Sequence, residues 1–477
     1  MKNFILTLIL LIAILSSKAQ SFVTIPDSHF VNWLTVNIPS AMTGNQMDTS
    51  NTSVNSLTLM DVSFDTIYNL EGIQYFKSLQ VLNCSFNKID TLLNLPDSLK
   101  TLICSGNRLT YLMEIPDSVT FFDCTMNQLD SLPTLPINLV HFDCHNNFLT
   151  SLPALPVVIT YFDCSGNQLT SLPTLPPTLP NLNCAENQLT ALPSLPGTIT
   201  SINCENNSLT SLPILPPALD TLNCGSNQLT SLPALPGLLI DLECYYNQIT
   251  SLPTLPGLLQ TLVCGGNLLI SLPTLPSSLI TLKCYGNQLT FLPPLPSSLD
   301  YLDCSNNLIS SLPTLPSSLT ILECSFNQLA TLPPLASLTL LNCSTNLLSN
   351  IPTLPSSLIE LSCSYNPLIN LPTLPSSLGS LFCSNATLDS LPLIPSSLTQ
   401  LDCSYNSLTA LPASLGSLGE LACNNNLLTN IPTLPPSIYY LFCYNNNINC
   451  FDEFPNTLIW LAIQNNPITC IPNYIPA

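Results

Sequence analysis

From Leu79 to about Asn449 the chain repeats one pattern of apolar and polar positions, L-x-x-L-x-C-x-x-N-x-L followed by x-x-L-P-x-L-P-x-x. In Leu312–Thr331 it reads LPTLPSSLTILECSFNQLAT. A period this short predicts a solenoid, because one copy cannot bury its apolar side alone and stacked copies can. Within each copy the alternation is that of a strand: Leu319, Leu322 and Cys324 are expected to point inward, and Thr320, Ile321, Glu323, Ser325 and Phe326 outward. Asn327 follows at the bend, where ladder bonds stop and a side-chain amide can serve the backbone groups left over. That slot occurs twenty times, from Asn87 to Asn466, and only Ala386 departs from Asn, so a buried asparagine ladder is predicted. The prolines of the return segment remove donors and hold the residues before them extended, which excludes a helix there and predicts a polyproline-like run.

The ends break the pattern. In Thr24–Ile38, with Asp27 or Ser28 as N-cap, Phe30, Trp33 and Leu34 are spaced for a short amphipathic helix covering the first strand. Thr43–Asn55 reads as a polar loop, and a divergent first turn follows with Leu57, Leu59, Ile67, Leu70, Ile73 and Phe76. In the last strand, Leu458–Ile463, Ile463 stands where earlier turns have Cys, and Pro467, Pro472 and Pro476 oppose further strand addition. Two turns are irregular: Leu332–Asn346 is a residue short and Leu411–Leu418 loses its second L-P. Met1–Ala19, with Lys2, an apolar run from Phe4 to Leu15 and Ser17-Lys18-Ala19, reads as a signal peptide cut near Gln20. The expected organisation is a signal peptide (1–19), an N-terminal cap with a short helix and loop (20–53), the repeat array (54–449) and a last repeat with C-terminal cap (450–477).

The repeat is the leucine-rich repeat pattern, and its L-P-x-L-P phrase at twenty residues resembles the bacterial YopM and IpaH type. The opening F-V-x-I-P-D-x-x-F and N-L-E-G-I-Q-Y-F is similar to the cap and first repeat of secreted bacterial leucine-rich proteins. The resemblance covers almost the whole mature length. It implies a β-rich solenoid: an arc with parallel strands on the concave face, an extended convex face and a short helical cap. Cys in the third inward site departs from the usual aliphatic filler, and no counterpart of the IpaH-type ligase domain is read in the chain.

Charge narrows the partners. Lys and Arg number 7 against 27 Asp and Glu, a net charge of −20, and beyond Arg108 the one basic residue is Lys283. Such a surface repels phosphate backbones, so nucleic acid is set aside. Prolines interrupt every later apolar run well before the ~18 residues a membrane span needs, so none is expected in the mature chain.

Nineteen cysteines, Cys84 to Cys443, share one inward slot. Neighbours in register, with parallel side chains about a strand spacing apart, are poorly placed for disulfides, which want Cβ atoms ~3.5 to 4.5 Å apart; they read as small apolar fillers. Cys450 and Cys470 stand apart, each four residues after an Asn-slot residue, and are predicted to pair and fasten the C-terminal cap.

Two groups on the outward face carry candidate chemistry. Asp123, Asp143 and Asp163 stand on consecutive strands with His141 and His145 beside the middle one, a set suited to Ca²⁺ or Zn²⁺. Polar residues must fill such positions in any case. Aromatic residues concentrate toward the C-terminal half: Tyr245, Tyr246, Tyr285, Tyr301, Phe326, Tyr365, Phe382, Tyr405, Tyr440, Phe442, Tyr444 and Trp460. Rigid exposed rings are typical anchors for a macromolecule; mutual shielding along the strands is the plainer account. No nucleophile-elbow, zinc-protease or phosphate-loop phrase occurs, and no catalysis or cofactor is expected. The sequence predicts a secreted or surface-displayed protein that binds a protein on its concave face; a glycan ligand and a purely structural surface-layer role are the alternatives.

Overall fold

The computed structural model describes residues 21–472. The proposed signal peptide and Pro476 lie outside these residues. Residues up to Gln228 form one compact unit and those from Leu229 a second.

The first unit opens with a cap. Strand β1 (Phe22–Thr24) pairs antiparallel with β3 (Gln46–Asp48), which also pairs with β2 (Met42–Thr43). Helix α1 (Ser28–Asn37) buries Phe30 and Leu34 and leaves Trp33 half-buried. Asp27 is its N-cap: Oδ1 accepts the His29 and Phe30 N–H groups at 2.8 and 3.0 Å. Its other oxygen accepts from Tyr68 and Asn69 N–H at 2.7 and 3.1 Å, so one carboxylate both starts the helix and clasps it to the first turn.

The expected loop over Thr43–Asn55 is instead largely structured. Gly44, at φ 61°, and Asn45 make a two-residue hairpin turn, and Asn51 caps helix α2 (Thr52–Ser56) through Ser53 N–H. The first turn is also shifted by one position. Strand β4 (Leu59–Asp61) buries Met60, with Val62 after it, while Leu59 is 58% exposed. With a side-chain period of two, a one-residue shift exchanges the faces.

In the first unit, parallel pairing with unshifted register runs from β4 through strands such as Val81–Asn83 and Phe121–Asp123 to Thr221–Asn223. In the second it runs from Asp241–Glu243 to Trp460–Ala462. The short turn leaves pairing intact, since Ile321 still meets Leu340 and Glu323 meets Asn342; the deletion is absorbed in the return segment.

The asparagine ladder holds each bend. Asn287 Nδ2 donates to Cys264 O, Cys284 O and Tyr285 O at 3.0, 3.1 and 3.1 Å, and its Oδ1 accepts Leu269 N–H at 3.0 Å. One side chain thus joins two turns and leaves no buried donor stranded. At Ala386 Leu368 N–H falls back on Asn366 O at 2.8 Å, as Ile468 N–H does on Asn466 O after the last ladder residue. Beside Ala386, Ser384 donates its N–H and Oγ–H to Ser364 Oγ at 3.0 and 3.1 Å.

The nineteen ladder cysteines are buried and none is disulfide-bonded. Cys84 N–H and Sγ–H both donate to Ile103 O, at 2.8 and 3.4 Å, a pairing an aliphatic filler could not make. Burial pushes these thiols up, Cys84 to about 12, which withholds the thiolate a nucleophile or metal ligand needs. Cys450 and Cys470 face one another across a parallel bridge, Cα to Cα 4.8 Å, and are joined as a disulfide.

Candidate functional site

The side of the strands facing away from the core carries four rows of side chains, here called the open face. The rows are the first strand residue, the residue before Cys, the residue after Cys, and the residue before the ladder Asn. Each row has its own local physics.

The row before Cys holds the acidic residues singled out from the sequence, and most of them serve the turn. Asp123 Oδ1 accepts Thr125 N–H at 3.0 Å. Asp163 accepts both Ser165 N–H and Ser165 Oγ–H, at 2.9 and 2.6 Å; Asp303 and Asp402 repeat this with Ser305 and Ser404. Asn203 and Asn342 do the same with Glu205 and Ser344 N–H. A short side chain that bonds the backbone two residues on is what a tight bend requires, so Asp and Asn recur here for the turn's sake. The residue after Cys is drawn inward with it. Ser325 is buried, as are Ser85, Ser364 and Ser404, and not outward as alternation alone predicts.

Of the five residues proposed from sequence as metal ligands, the structure gathers three. Ligand atoms of Asp143, His145 and Asp163 lie within 4.8 Å of one another. His145 Nδ1 is 2.7 Å from Asp143 Oδ1, and Asp163 Oδ2 accepts Asn183 Nδ2–H at 2.7 Å, so both carboxylates already have protein partners. Burial pushes the Asp143 carboxyl up against the opposing bonds from His145. Asp123 and His141 stand outside the group. His141 is the middle ring of a stack in the first row, 3.9 Å from Phe121 and 4.1 Å from Tyr161, with planes within 9°. Burial lowers its pKa despite Asp143 and Asp123 nearby.

The fourth row is the unusual one. At every turn from Phe86 to Asn465 the residue before the ladder Asn is left-handed, with φ between 46° and 64°. Gly and Asn adopt this region at little cost, and they fill many of the positions; bulky residues are outliers there. Nevertheless five positions carry aromatics, and all five are solvent-exposed: Phe86 47%, Tyr246 58%, Phe326 55%, Tyr365 58% and Tyr405 51%. Sequence reasoning named the last four and missed Phe86, whose ring stacks on Phe64 at 4.7 Å. Its signal was position alone, since it occupies the same slot as Tyr365.

The other proposed anchors sit in different rows. Tyr245, Tyr285 and Tyr444 follow Cys, Tyr301, Tyr440 and Trp460 begin strands, and Phe382 and Phe442 precede Cys. Trp460 is 60% exposed, while the rest of these are half-buried. Tyr246 forms edge-to-face pairs with Tyr245 at 5.7 Å and Tyr285 at 6.2 Å, and Tyr440 packs beside Phe442 at 6.4 Å. The Tyr246 and Tyr285 rings rest on Gly266 and Gly265, where an added Cβ would run into them. Burial, reinforced by Tyr246, pushes the Tyr285 phenol to about 12, so that ring is a neutral plate at physiological pH.

Comparison with solved structures places these rows in context. The chain is similar to YopM from Yersinia enterocolitica, at 34% identity over 87% of this chain and 90% of that one, with a TM-score of 0.77. It is similar to YopM from Yersinia pestis, a leucine-rich effector protein, at 36% identity over 65% and 84% of the two chains, TM-score 0.53. The functional domain of InlJ from Listeria monocytogenes, which includes a cysteine ladder, shares the fold at 22% identity over 82% and 78%, TM-score 0.53. Neither family models nor curated proteins give a match.

Proposed function

The chain belongs to the YopM type of leucine-rich repeat proteins, and we propose that it is an exported, non-catalytic scaffold that docks a protein partner on its open face. One observation carries this reading: bulky rings stand exposed in a left-handed slot where Gly or Asn would cost less. Backbone strain held where the ring stays about half exposed or more points to use. Rings fixed by the backbone lose little freedom when a partner covers them, which favours binding through a preformed surface. The leader read in Met1–Ala19 supports export to the cell surface or medium; among the described residues no helix is long and apolar enough to cross a membrane.

A photo-crosslinking residue placed at Phe326 or Tyr365 tests the reading, with the same residue at Ser317 on the return segment as control. In the producing organism the open-face positions are expected to give a discrete protein adduct and the control none. Equal labelling from both sides contradicts it. A glycan ligand has one observation in its favour, the flat Tyr246 and Tyr285 plates seated on glycines, and polysaccharide binding lost with Tyr246→Asn would favour it.

A further inference from the structure

A face built from near-identical turns has a registration problem. A partner displaced by one turn, about 4.8 Å, meets almost the same surface. Something must make one position unique. On charge, one residue does: Lys283 is the single cation between Arg108 and the end of the chain, in a protein of net charge −20.

Its setting within the second unit is specific. Lys283 belongs to the row before Cys, which reads Glu243, Val263, Lys283, Asp303, Glu323 on consecutive strands. Asp303 is its direct register neighbour, yet the two form no ion pair among the described residues, where the one salt bridge is His145–Asp143. The reason is visible in the turn. Asp303 Oδ1 is held by Ser305 N–H and Oγ–H at 3.0 and 2.6 Å, and the Lys283 ammonium lies instead over the Tyr301 ring, 5.0 Å from its centroid. A half-buried ammonium without a carboxylate, on an otherwise acidic face, has its strongest hydrogen-bonding capacity unspent. Beside it the Tyr246 and Tyr285 plates give a partner apolar area to cover.

We propose that Lys283 is the register lock of the docking face: it receives one carboxylate of a protein partner that is otherwise neutral or basic. The acidic rows attract such a partner without fixing its position, and Lys283 selects the turn. Displacement by one turn in one direction sets the partner's carboxylate against Asp303; displacement by two turns sets it against Glu243 or Glu323. Like charges brought together in this way act against the wrong registers. The inference rests on the docking reading above.

Panning short random peptides with free carboxyl termini against the whole protein supplies defined probes. Binders that protect Tyr246 and Tyr285 from oxidative footprinting are then remade as C-terminal amides and with each Asp or Glu changed to Asn or Gln. One carboxylate per binder is expected to be indispensable, and the two sets of variants separate a terminal carboxylate from a side-chain one. Lys283→Met is expected to weaken binding by about tenfold or more, Lys283→Glu further, and Lys283→Arg to keep most of it. Unchanged circular dichroism and melting would establish that Lys283→Met still folds. Binders that cover the face and ignore Lys283→Met overturn the lock while leaving the docking reading intact. A failure to find any binder on this face overturns both.

Discussion

Ala386→Asn inserts the missing rung of the asparagine ladder, and the structure sets its size. At Asn366 and Asn406, the rungs on either side of the gap, the amide serves the Cys carbonyls of two turns and one N–H of the turn before, at 2.9 to 3.1 Å. In the gap the Cys363 and Cys383 carbonyls keep one amide donor each, Asn366 and Asn406, and lack the second, and Leu368 N–H has already found a substitute in Asn366 O. About two bonds are therefore gained, each worth roughly 1 kcal/mol net, so the variant should be more stable locally by about 1 to 2 kcal/mol. The converse change, Asn287→Ala, takes one of two amide donors from each of the Cys264 and Cys284 carbonyls, which keep Asn267 and Asn307, and removes the acceptor of Leu269 N–H, and should cost about 2 to 3 kcal/mol. Solenoid turns communicate mainly with their neighbours, so the gain belongs to the turns around Cys363 and Cys383 and not to the whole chain. Amide hydrogen exchange reads it there: protection at Leu368 should rise by about tenfold, the equivalent of 1.4 kcal/mol. Unchanged or reduced protection would refute the ladder argument and indicate that Asn366 and Asn406 already meet the need of that bend.

Three further outcomes follow from the same contacts. Asp27→Ala removes four hydrogen bonds at the joint between α1 and the first turn and should cost about 2 to 3 kcal/mol, read as early protease cutting within the cap. Cys450→Ser with Cys470→Ser opens a loop of 20 residues and should destabilise the last turn by about 3 kcal/mol, with exchange near Cys84 unchanged. His141 has its pKa lowered by burial, so the neutral ring stabilises the fold above the ordinary histidine value of about 6.5, and that contribution is lost as pH falls below it. An NMR titration of the His141 ring should show a midpoint below that of a free histidine; a midpoint above it would contradict the stacking account.

The repeat was legible because it is dictated by strong, local and redundant signals. Leu322 and Cys324 must be buried for any turn to stack, Asn327 must serve the bend, and paired prolines forbid a helix in the return segment. What escaped was set by single residues acting once. The cap hairpin turns on Gly44 and Asn45 inside a polar stretch that resembles a loop, and the register of β4 is chosen by Met60 and Val62 in a turn whose pattern also fitted Leu59. The open face was legible as a list but not as a set of rows. Alternation sends Ser325 outward, while the bond network of the bend draws it in. Spacing put His141 with the acidic residues, while its ring belongs to the stack with Phe121 and Tyr161. The left-handed row could not be seen from apolar pattern at all, because that pattern does not encode φ; the recurrence of Gly and Asn in the slot before the ladder Asn was its trace.

The central claim is that Tyr246, Phe326, Tyr365 and Tyr405 are kept for a partner and against the preference of the backbone. Changing all four to Asn relieves left-handed strain of about 1 kcal/mol each and gives up a similar amount of ring burial, since the rings are already more than half exposed. Urea denaturation combined with partner crosslinking from a probe at Trp460 measures both sides at once. The expected result is stability unchanged within about 1 kcal/mol per site, and crosslinking lost. Stability that falls by about 2 kcal/mol or more per site, with crosslinking retained, would identify the rings as packing and contradict the account.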